Sequence, residues 1–200
     1  AGAGGPAQIL VSEFRRAGRE PPEILLTDLF PRPRAWQRLS GLEPKIFAHL
    51  APIDATRIPG DVGQGRARAI INAFHHFPPS LAQSILADAV RSRAPVWVSE
   101  PFGRSPLGFF PFAPFGLAAL LANPVLSPDK TLGKAVLSWG VLPLTLSISA
   151  WDGIVSTLRV YEHADLHAMV GEHGDSYRWH AGSYRYALGG TGYWFWGVPA

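Results

Sequence analysis

Ala1-Gly2-Ala3-Gly4-Gly5-Pro6-Ala7 is the stretch of this sequence that decides the fold. Its glycines allow a sharp turn and leave bare backbone N–H groups that a ligand can approach at a helix N-terminus. Pro6 suits the first turn of a helix, and Leu10, Phe14 and Ala17 follow at helical spacing. The stretch therefore predicts a glycine turn that leads into a helix from Pro6 to about Ala17.

An acid follows the next apolar run. The run Glu23-Ile24-Leu25-Leu26-Thr27-Asp28 predicts a short, buried parallel strand. Asp28 lies 21 residues beyond Ala7, near the spacing of about 20 at which an acid binds ribose hydroxyls in dinucleotide folds. A carboxylate accepts two hydrogen bonds from a vicinal diol. An aspartate that caps a turn would occupy the same position, so both roles stay open.

Strands and helices alternate further along the chain. Strands are predicted at Phe47–Ile53, Arg68–Asn72 and Val96–Glu100, with a helix at Pro79–Arg91 before the last of them. Such alternation is typical of an α/β fold with a parallel sheet. Ligands bind such sheets at the carboxyl ends of the strands, where Asp54 and Asn72 lie. We expect Glu100 to cap the turn before Pro101.

Four segments, in this order, resemble the motifs of class I S-adenosylmethionine (SAM) dependent methyltransferases. They are Gly2-Ala3-Gly4-Gly5, Thr27-Asp28-Leu29, Ile53-Asp54-Ala55-Thr56-Arg57-Ile58-Pro59 and Ile71-Asn72-Ala73-Phe74-His75-His76-Phe77. The resemblance covers residues 1–100 and implies a three-layer α/β/α Rossmann-like fold, mostly parallel, with an antiparallel C-terminal hairpin. It implies S-adenosyl-L-methionine as cofactor and methyl transfer to an O, N or C atom of a small, partly apolar acceptor.

The resemblance also assigns roles to single residues. The cofactor would be bound by Gly2, Ala3 and Gly4 beside its methionine part, Asp28 and Leu29 at the ribose, Asp54 and Ala55 at the adenine, and Asn72. His75 and His76 are candidate catalytic residues, as general base or as hydrogen-bonding partners of the substrate, because imidazole titrates near neutral pH. The alternative is that one histidine packs and the other caps the following turn.

The sequence departs from this family at one point. The family's glycine turn follows a central first strand that bears a carboxylate, and no such strand precedes Gly2 here. Loss of a central strand would leave two neighbouring strands without their partner and strand buried backbone groups. We therefore expect an N-terminally truncated fragment of a longer chain.

The composition changes after Pro101. Ser105–Pro128 contains no charge in 24 residues, and Ala135–Trp151 is a second uncharged stretch. Prolines leave only Phe115–Asn123 as uninterrupted helix, which is too short to cross a bilayer. We interpret residues 101–150 as an irregular hydrophobic cap or lid over the acceptor pocket, with Phe109 and Phe112 as substrate-binding residues.

Residues 151–200 are predicted to complete the sheet with a helix and a β-hairpin. The hairpin strands are Tyr177–Tyr186 and Gly192–Val198. Before them lie a candidate catalytic residue, Asp152, and two candidate substrate-binding residues, Arg159 and Tyr161. Asp152 and Arg159 would recognise a polar head, or would form a salt bridge at the root of the lid.

Composition limits the other functions. The chain is 47% hydrophobic with 7 Trp, which excludes disorder, and its 0 Cys exclude a disulfide scaffold, a thiolate nucleophile and an iron–sulfur cluster. A net charge of +3 without a long basic run argues against a nucleic-acid partner. We expect a small-molecule substrate, no metal, and a cytoplasmic protein with or without peripheral membrane contact. The oligomeric state stays open.

Two other functions fit parts of the sequence. An NAD(P)- or flavin-dependent oxidoreductase with a Rossmann fold would use the same glycine turn, but it assigns no role to Ile53-Asp54-Ala55 or His75-His76. A non-catalytic membrane-associated or protein-binding module would act through Phe109–Phe115. The residues alone leave both open.

Overall fold

A computed structural model describes residues 2–105, 107, 110, 113–126, 131–171, 176–185 and 190–200. The candidate residues Phe109 and Phe112 lie outside the described residues. The helices are α1 (Gly5–Arg16), α2 (Pro33–Leu42), α3 (Gly60–Gly63), α4 (Pro79–Arg91), α5 (Ala113–Leu126), α6 (Leu132–Ala135), α7 (Leu142–Arg159) and α8 (His163–Val170). The strands are β1 (Ile24–Leu26), β2 (Ile46–Ala48), β3 (Arg68–Ile71), β4 (Val96–Glu100), β5 (Tyr177–Arg185) and β6 (Thr191–Pro199). A 3₁₀ turn spans Phe74–His76, and a π-helical turn, Val136–Gly140, continues α6.

The strands form two sheets. In one, β1 and β2 pair in parallel; the other has the order β3-β4-β6-β5. Strand β4 is parallel to β3, whereas β6 runs antiparallel to both of its neighbours. The expected mixed α/β fold and antiparallel C-terminal hairpin are thus confirmed. The expectation of one mostly parallel sheet is not met among the described residues, because half of the pairings are antiparallel and β1 and β3 are not paired with each other.

Each sheet has its own hydrophobic core. Around β1 and β2, the helices α1 and α2 bury Val11, Trp36 and Leu39. Around the larger sheet, α4 and α8 pack on one face. The core there consists of Phe74, Ala82, Ile85, Leu86, Ala89, Val96, Val98, Leu166, Val170 and Phe195. Alternate residues of β4 enter this core because successive strand side chains point to opposite faces.

Asp88 of α4 links the two parts of the α/β region. Its carboxylate pairs with Arg68 of β3 at 2.7 Å and also accepts the backbone N–H of Ile58, in the loop after β2, at 3.2 Å. The side chains of Asp88 and Arg68 are each 8% exposed. A buried carboxylate thus fixes this loop against the larger sheet.

The described parts of the expected cap beyond Ala113 are mostly helical, at 113–126, 132–140 and 142–159, whereas the sequence suggested an irregular segment. Helix α5 includes Pro114 in its first turn, where no N–H donor is required, and Pro124 near its end. Helices α5 and α7 pack against each other, and the Trp139 indole N–H donates to the Leu121 carbonyl at 3.0 Å. Among the described residues no single helix is long and apolar enough to cross a membrane. The helices Leu132–Gly140 and Leu144–Arg159 reach the required length and hydropathy only when they are taken together, and a bend of 76° separates them.

Candidate functional site

The glycine turn is held from one side and open on the other. Gly4 precedes α1 with φ +86°, and a Cβ there would lie 2.7 Å from the Leu39 side chain. Gly2 has φ +54° and no neighbouring atom within 4 Å of the corresponding position. The indole N–H of Trp36 donates to the Gly2 carbonyl at 2.8 Å. Packing therefore requires glycine at Gly4, whereas the exposed backbone of Gly2 and Ala3 is accessible to a ligand.

The Asp28 carboxylate lies beside this turn. It accepts the backbone N–H of Gly2 at 3.2 Å and that of Phe30 at 3.0 Å. The first contact brings together two residues that the sequence assigns to one site. The second contact is the turn cap, which the sequence left open as the other role of Asp28. Leu29 is 49% exposed at the same edge.

A third loop joins this edge. The Ile53 N–H donates to the Asp28 carbonyl at 2.9 Å, which brings the loop after β2 next to the loop after β1. In that loop Asp54 accepts the Thr56 backbone N–H and hydroxyl, each at 2.8 Å, and the backbone bond and the hydroxyl bond lower the pKa of Asp54. Ala55 packs against the core of the larger sheet. Asp54 therefore shapes its own turn and stays ionised and exposed.

At the end of β3 the chain turns at Asn72. Its φ of +51° is left-handed, a region that asparagine tolerates better than most residues. The Asn72 N–H still donates to the Ser99 carbonyl at 2.8 Å, so β3 and β4 end side by side. The exposed Asn72 side chain and the 3₁₀ turn that follows it both lie at the carboxyl end of β3.

Glu100 holds the 3₁₀ turn. One carboxylate oxygen accepts the N–H groups of Phe74 and His75 at 2.8 and 3.1 Å, and the other lies 2.8 Å from His75 Nδ1. Both side chains are buried, at 6% and 4% exposure. Glu100 therefore does not cap the turn before Pro101, as the sequence suggested; it caps the turn that follows the adjacent parallel strand. The sequence did contain a signal for this contact, because His75 and His76 follow β3 and Glu100 ends β4, the next strand along the chain.

His76 is the accessible member of the histidine pair. Its ring centroid lies 4.2 Å from that of His75, and its side chain is exposed. Partial burial and then the neighbouring His75 lower the pKa of His76 from 6.5, while the charges of Asp152 and Glu100 oppose this shift and Arg159 adds to it. The imidazole is therefore neutral at pH 7 and able to accept a proton.

Helix α7 packs against the 3₁₀ turn and carries Asp152 and Arg159. Both side chains are exposed, and both act on His76 through their charges. Within the described residues they form no ion pair with each other, because two helical turns, about 10 Å, separate them. Helix α7, which carries Asp152 and Arg159, thus lies beside the turn that carries His76, and the alternative of a salt bridge between Asp152 and Arg159 is not met among the described residues.

Tyr161 has a structural contact. Its hydroxyl donates to the Phe77 carbonyl at 2.6 Å, its ring meets that of Phe74 edge-on, and burial raises its pKa. It therefore anchors the segment after the 3₁₀ turn and stays protonated. Tyr161 also lines an open groove of about 550 Å³ with Pro79, Ser80, Gln83, Arg104, Asp165, Ala168 and Met169.

Metal ligation finds no support in the described part of the chain. There, no group of three or more His, Cys, Asp or Glu side chains is arranged to hold an ion. His163 and His167 instead meet Tyr193 and Phe195 edge-on, and Asp165 pairs with Arg104. The candidates that the structure joins by hydrogen bonds are Gly2 with Asp28, and His75 with Glu100. No protein-family model matches the chain, and a search of curated proteins found no significant match.

Proposed function

We propose that this chain is a SAM-dependent methyltransferase that acts on an O, N or C atom of a small, partly apolar acceptor. The observation that carries the proposal is the contact between the Asp28 carboxylate and the N–H of Gly2, in the turn that begins α1. A carboxylate beside a glycine turn at a helix N-terminus suits a nucleotide-like ligand with a ribose diol. No atom lies within 4 Å of the position that a side chain of Gly2 would occupy, so a ligand can approach the turn from that side.

The proposal includes a Rossmann-like three-layer sheet. Strands β1 and β3 each lie at the end of a sheet, and each pairs in parallel with its one neighbour. One additional parallel strand between β1 and β3 would join the two sheets into the continuous order β2-β1-new-β3-β4-β6-β5. Open strand edges with unpaired backbone groups are costly, which favours a continuous sheet over two separate ones.

Under this proposal, separate groups of residues bind the cofactor, orient the acceptor and accept a proton. Gly2, Ala3, Gly4, Asp28, Leu29, Asp54, Ala55 and Asn72 bind the cofactor, which supplies a methyl group already activated on a sulfonium. Arg159 and Asp152 orient the polar end of the acceptor near His76. Neutral His76 accepts the proton that an O–H or N–H acceptor loses, and alignment provides the rest of the rate enhancement. Buried Glu100 and His75 keep the 3₁₀ turn, and hence His76, in place.

Calorimetry with SAM on the full-length protein tests the proposal. We expect Asp28→Ala to lower SAM affinity at least about tenfold, because one charge-assisted hydrogen bond contributes about 1.5–3 kcal/mol. Asp61→Ala removes an exposed acid of α3 and serves as the matched control with unchanged affinity. Unchanged affinity in Asp28→Ala would contradict the assignment. Binding of NAD in place of SAM would instead support the oxidoreductase.

A further inference from the structure

Residues 113–159 distribute their side chains in the opposite way to the rest of the chain. The buried side chains described in this range are small or polar: Pro124, Ser138, Ser156 and Thr157. The exposed large apolar ones are Phe115, Leu117, Leu121, Val125, Leu126, Leu132, Val136, Leu137, Trp139, Leu144, Ile148, Trp151, Ile154 and Leu158. In water the hydrophobic effect favours the reverse arrangement. Small residues at helix contacts with apolar residues outside are the arrangement found in lipid.

The exposed apolar surface is not a single stripe. On α5, Phe115, Leu117, Leu121 and Leu126 are exposed on different sides of the helix. The axes of Leu132–Gly140 and Leu144–Arg159 diverge by 76°. A second copy of the chain or a partner helix would cover only one face of this segment, and the exposed side chains lie on several faces. A fluid apolar phase accommodates all of them at once.

The charge pattern also favours lipid. The described residues of 113–159 carry only Lys134, Asp152 and Arg159 as charged side chains. Trp139 and Trp151 are 50% and 70% exposed, and tryptophan prefers the boundary between headgroups and acyl chains. Attraction to anionic lipid needs clusters of basic residues, so apolar burial would drive the binding here.

This surface meets the candidate site on α7. Ile148 and Trp151 are exposed and apolar, and Asp152, the next residue, acts on His76 by its charge. An amphiphilic molecule held at the boundary would therefore present its polar end to His76 and Arg159 while its apolar body stays with α7.

We propose that the helical segment α5–α7 docks onto a lipid bilayer surface, and that the acceptor is an amphiphile dissolved in that bilayer. The docking follows from the side-chain distribution alone. The acceptor class rests on the proposed methyl transfer. Docking without transmembrane insertion agrees with helices that lie in the interface plane.

Co-sedimentation of the full-length protein with phosphatidylcholine vesicles tests the docking. We expect the wild-type chain to bind, and the double variant Ile148→Ser/Trp151→Ser to bind at least about tenfold less, since each large apolar side chain contributes about tenfold to partitioning. Ile9→Ser/Leu42→Ser is the matched control, because these side chains are 64% and 70% exposed in the α/β region. The control should bind as wild type does.

Brominated phosphatidylcholine gives a second measurement that does not depend on polar substitutions. We expect it to quench tryptophan fluorescence, and Trp151→Phe to keep vesicle binding while losing part of the quenching. Three results would overturn the proposal. The first is no vesicle binding, and the second is binding that requires phosphatidylserine and disappears with salt. The third is a wild-type chain that does not bind lipid but forms dimers in solution, when the Ile148→Ser/Trp151→Ser variant is monomeric.

SAM calorimetry on the same variants separates this inference from the proposed function. Ile148→Ser/Trp151→Ser should bind SAM normally, whereas Asp28→Ala should lose SAM but keep its vesicle binding. Vesicle binding without any SAM affinity would leave the docking intact and remove the acceptor class. SAM affinity without vesicle binding would overturn the docking and leave the proposed methyl transfer intact.

Discussion

The α/β region, residues 2–100, and the helical segment, residues 113–159, solve different packing problems. In the α/β region the helices bury Val11, Trp36 and Leu86 completely, and the buried carboxylates of Asp88 and Glu100 have defined partners. The helical segment buries small and polar side chains and exposes its large apolar ones. The same chain thus contains one region arranged for water and one arranged for an apolar environment. Stability should be sensitive to single contacts in the first and tolerant in the second.

The largest expected effect is at Asp88. Asp88→Ala leaves the buried Arg68 guanidinium without its carboxylate and the Ile58 N–H without its acceptor. Breaking one partner of a buried ion pair costs about 3–5 kcal/mol. We expect that loss in the free energy of urea unfolding. Asp61→Ala, an exposed acid of the same region, should stay within about 0.5 kcal/mol. Equal stabilities of the two variants would show that the α/β region does not depend on its buried ion pair.

A pair of glycines gives the next largest effect. Gly4→Ala forces a Cβ at φ +86° to within 2.7 Å of Leu39 Cδ2, and we expect a destabilisation of about 1–3 kcal/mol. Gly116 of α5 has no atom within 4 Å of the added carbon. Gly116→Ala should therefore be neutral or stabilising by up to about 1 kcal/mol. Thermal unfolding of both variants measures the contrast. Destabilisation by Gly116→Ala would show that the helical segment is closely packed after all.

Glu100 sharpens the comparison at the site itself. Glu100→Ala leaves the buried N–H groups of Phe74 and His75 unsatisfied, at about 1–3 kcal/mol for such a loss. Glu100→Gln keeps an acceptor oxygen and should recover most of the stability. If the positioning of His76 depends on this contact, kcat falls in Glu100→Ala and recovers in Glu100→Gln. A loss of stability with unchanged kcat would assign Glu100 a structural role only.

The smallest effect is the titration of His76, where the two regions meet. Its lowered pKa places the acidic limb of the activity profile below pH 6.5, because the base must be neutral. Removing the Asp152 charge with Asp152→Asn should lower this pKa further, and Arg159→Ala should raise it. NMR titration of the His76 ring measures both shifts. Since folding depresses this pKa, the contribution of His76 to stability is present above pH 6.5 and lost as the pH falls through the folded value. A His76 pKa that responds to neither substitution would separate α7 from the site.

Several elements follow from local sequence. The helix Pro79–Arg91 and the strand Val96–Glu100 have the bounds that their proline punctuation and apolar spacing predicted, and α1 begins one residue before the predicted Pro6. The family resemblance assigned Gly2 and Asp28 to one site, and the two residues are joined by a hydrogen bond. Turn chemistry and periodicity are local properties, so sequence reasoning predicts them well.

The prolines misled the prediction for the helical segment. They suggested an irregular cap, but Pro114 lies in the first turn of α5, and Pro124 lies near its end. Both are positions that a helix tolerates better than its middle. The role of Glu100 was missed because its partners, Phe74 and His75, precede it by 26 and 25 residues. Only the parallel pairing of β3 and β4 brings them together.

The sequence by itself determined the alternation of strands and helices, the glycine turn, and the candidate acids and histidines at strand ends. Only the tertiary structure decided which distant parts of the chain come together: His75 with Glu100, and helix α7 with the turn that carries His76. It also revealed that the described parts of 113–126 and 131–159 leave large apolar side chains exposed. The physical reason is the range of the interactions. Helix starts, turns and periodicity depend on neighbouring residues, whereas burial and side-chain convergence depend on distant segments that share no local pattern.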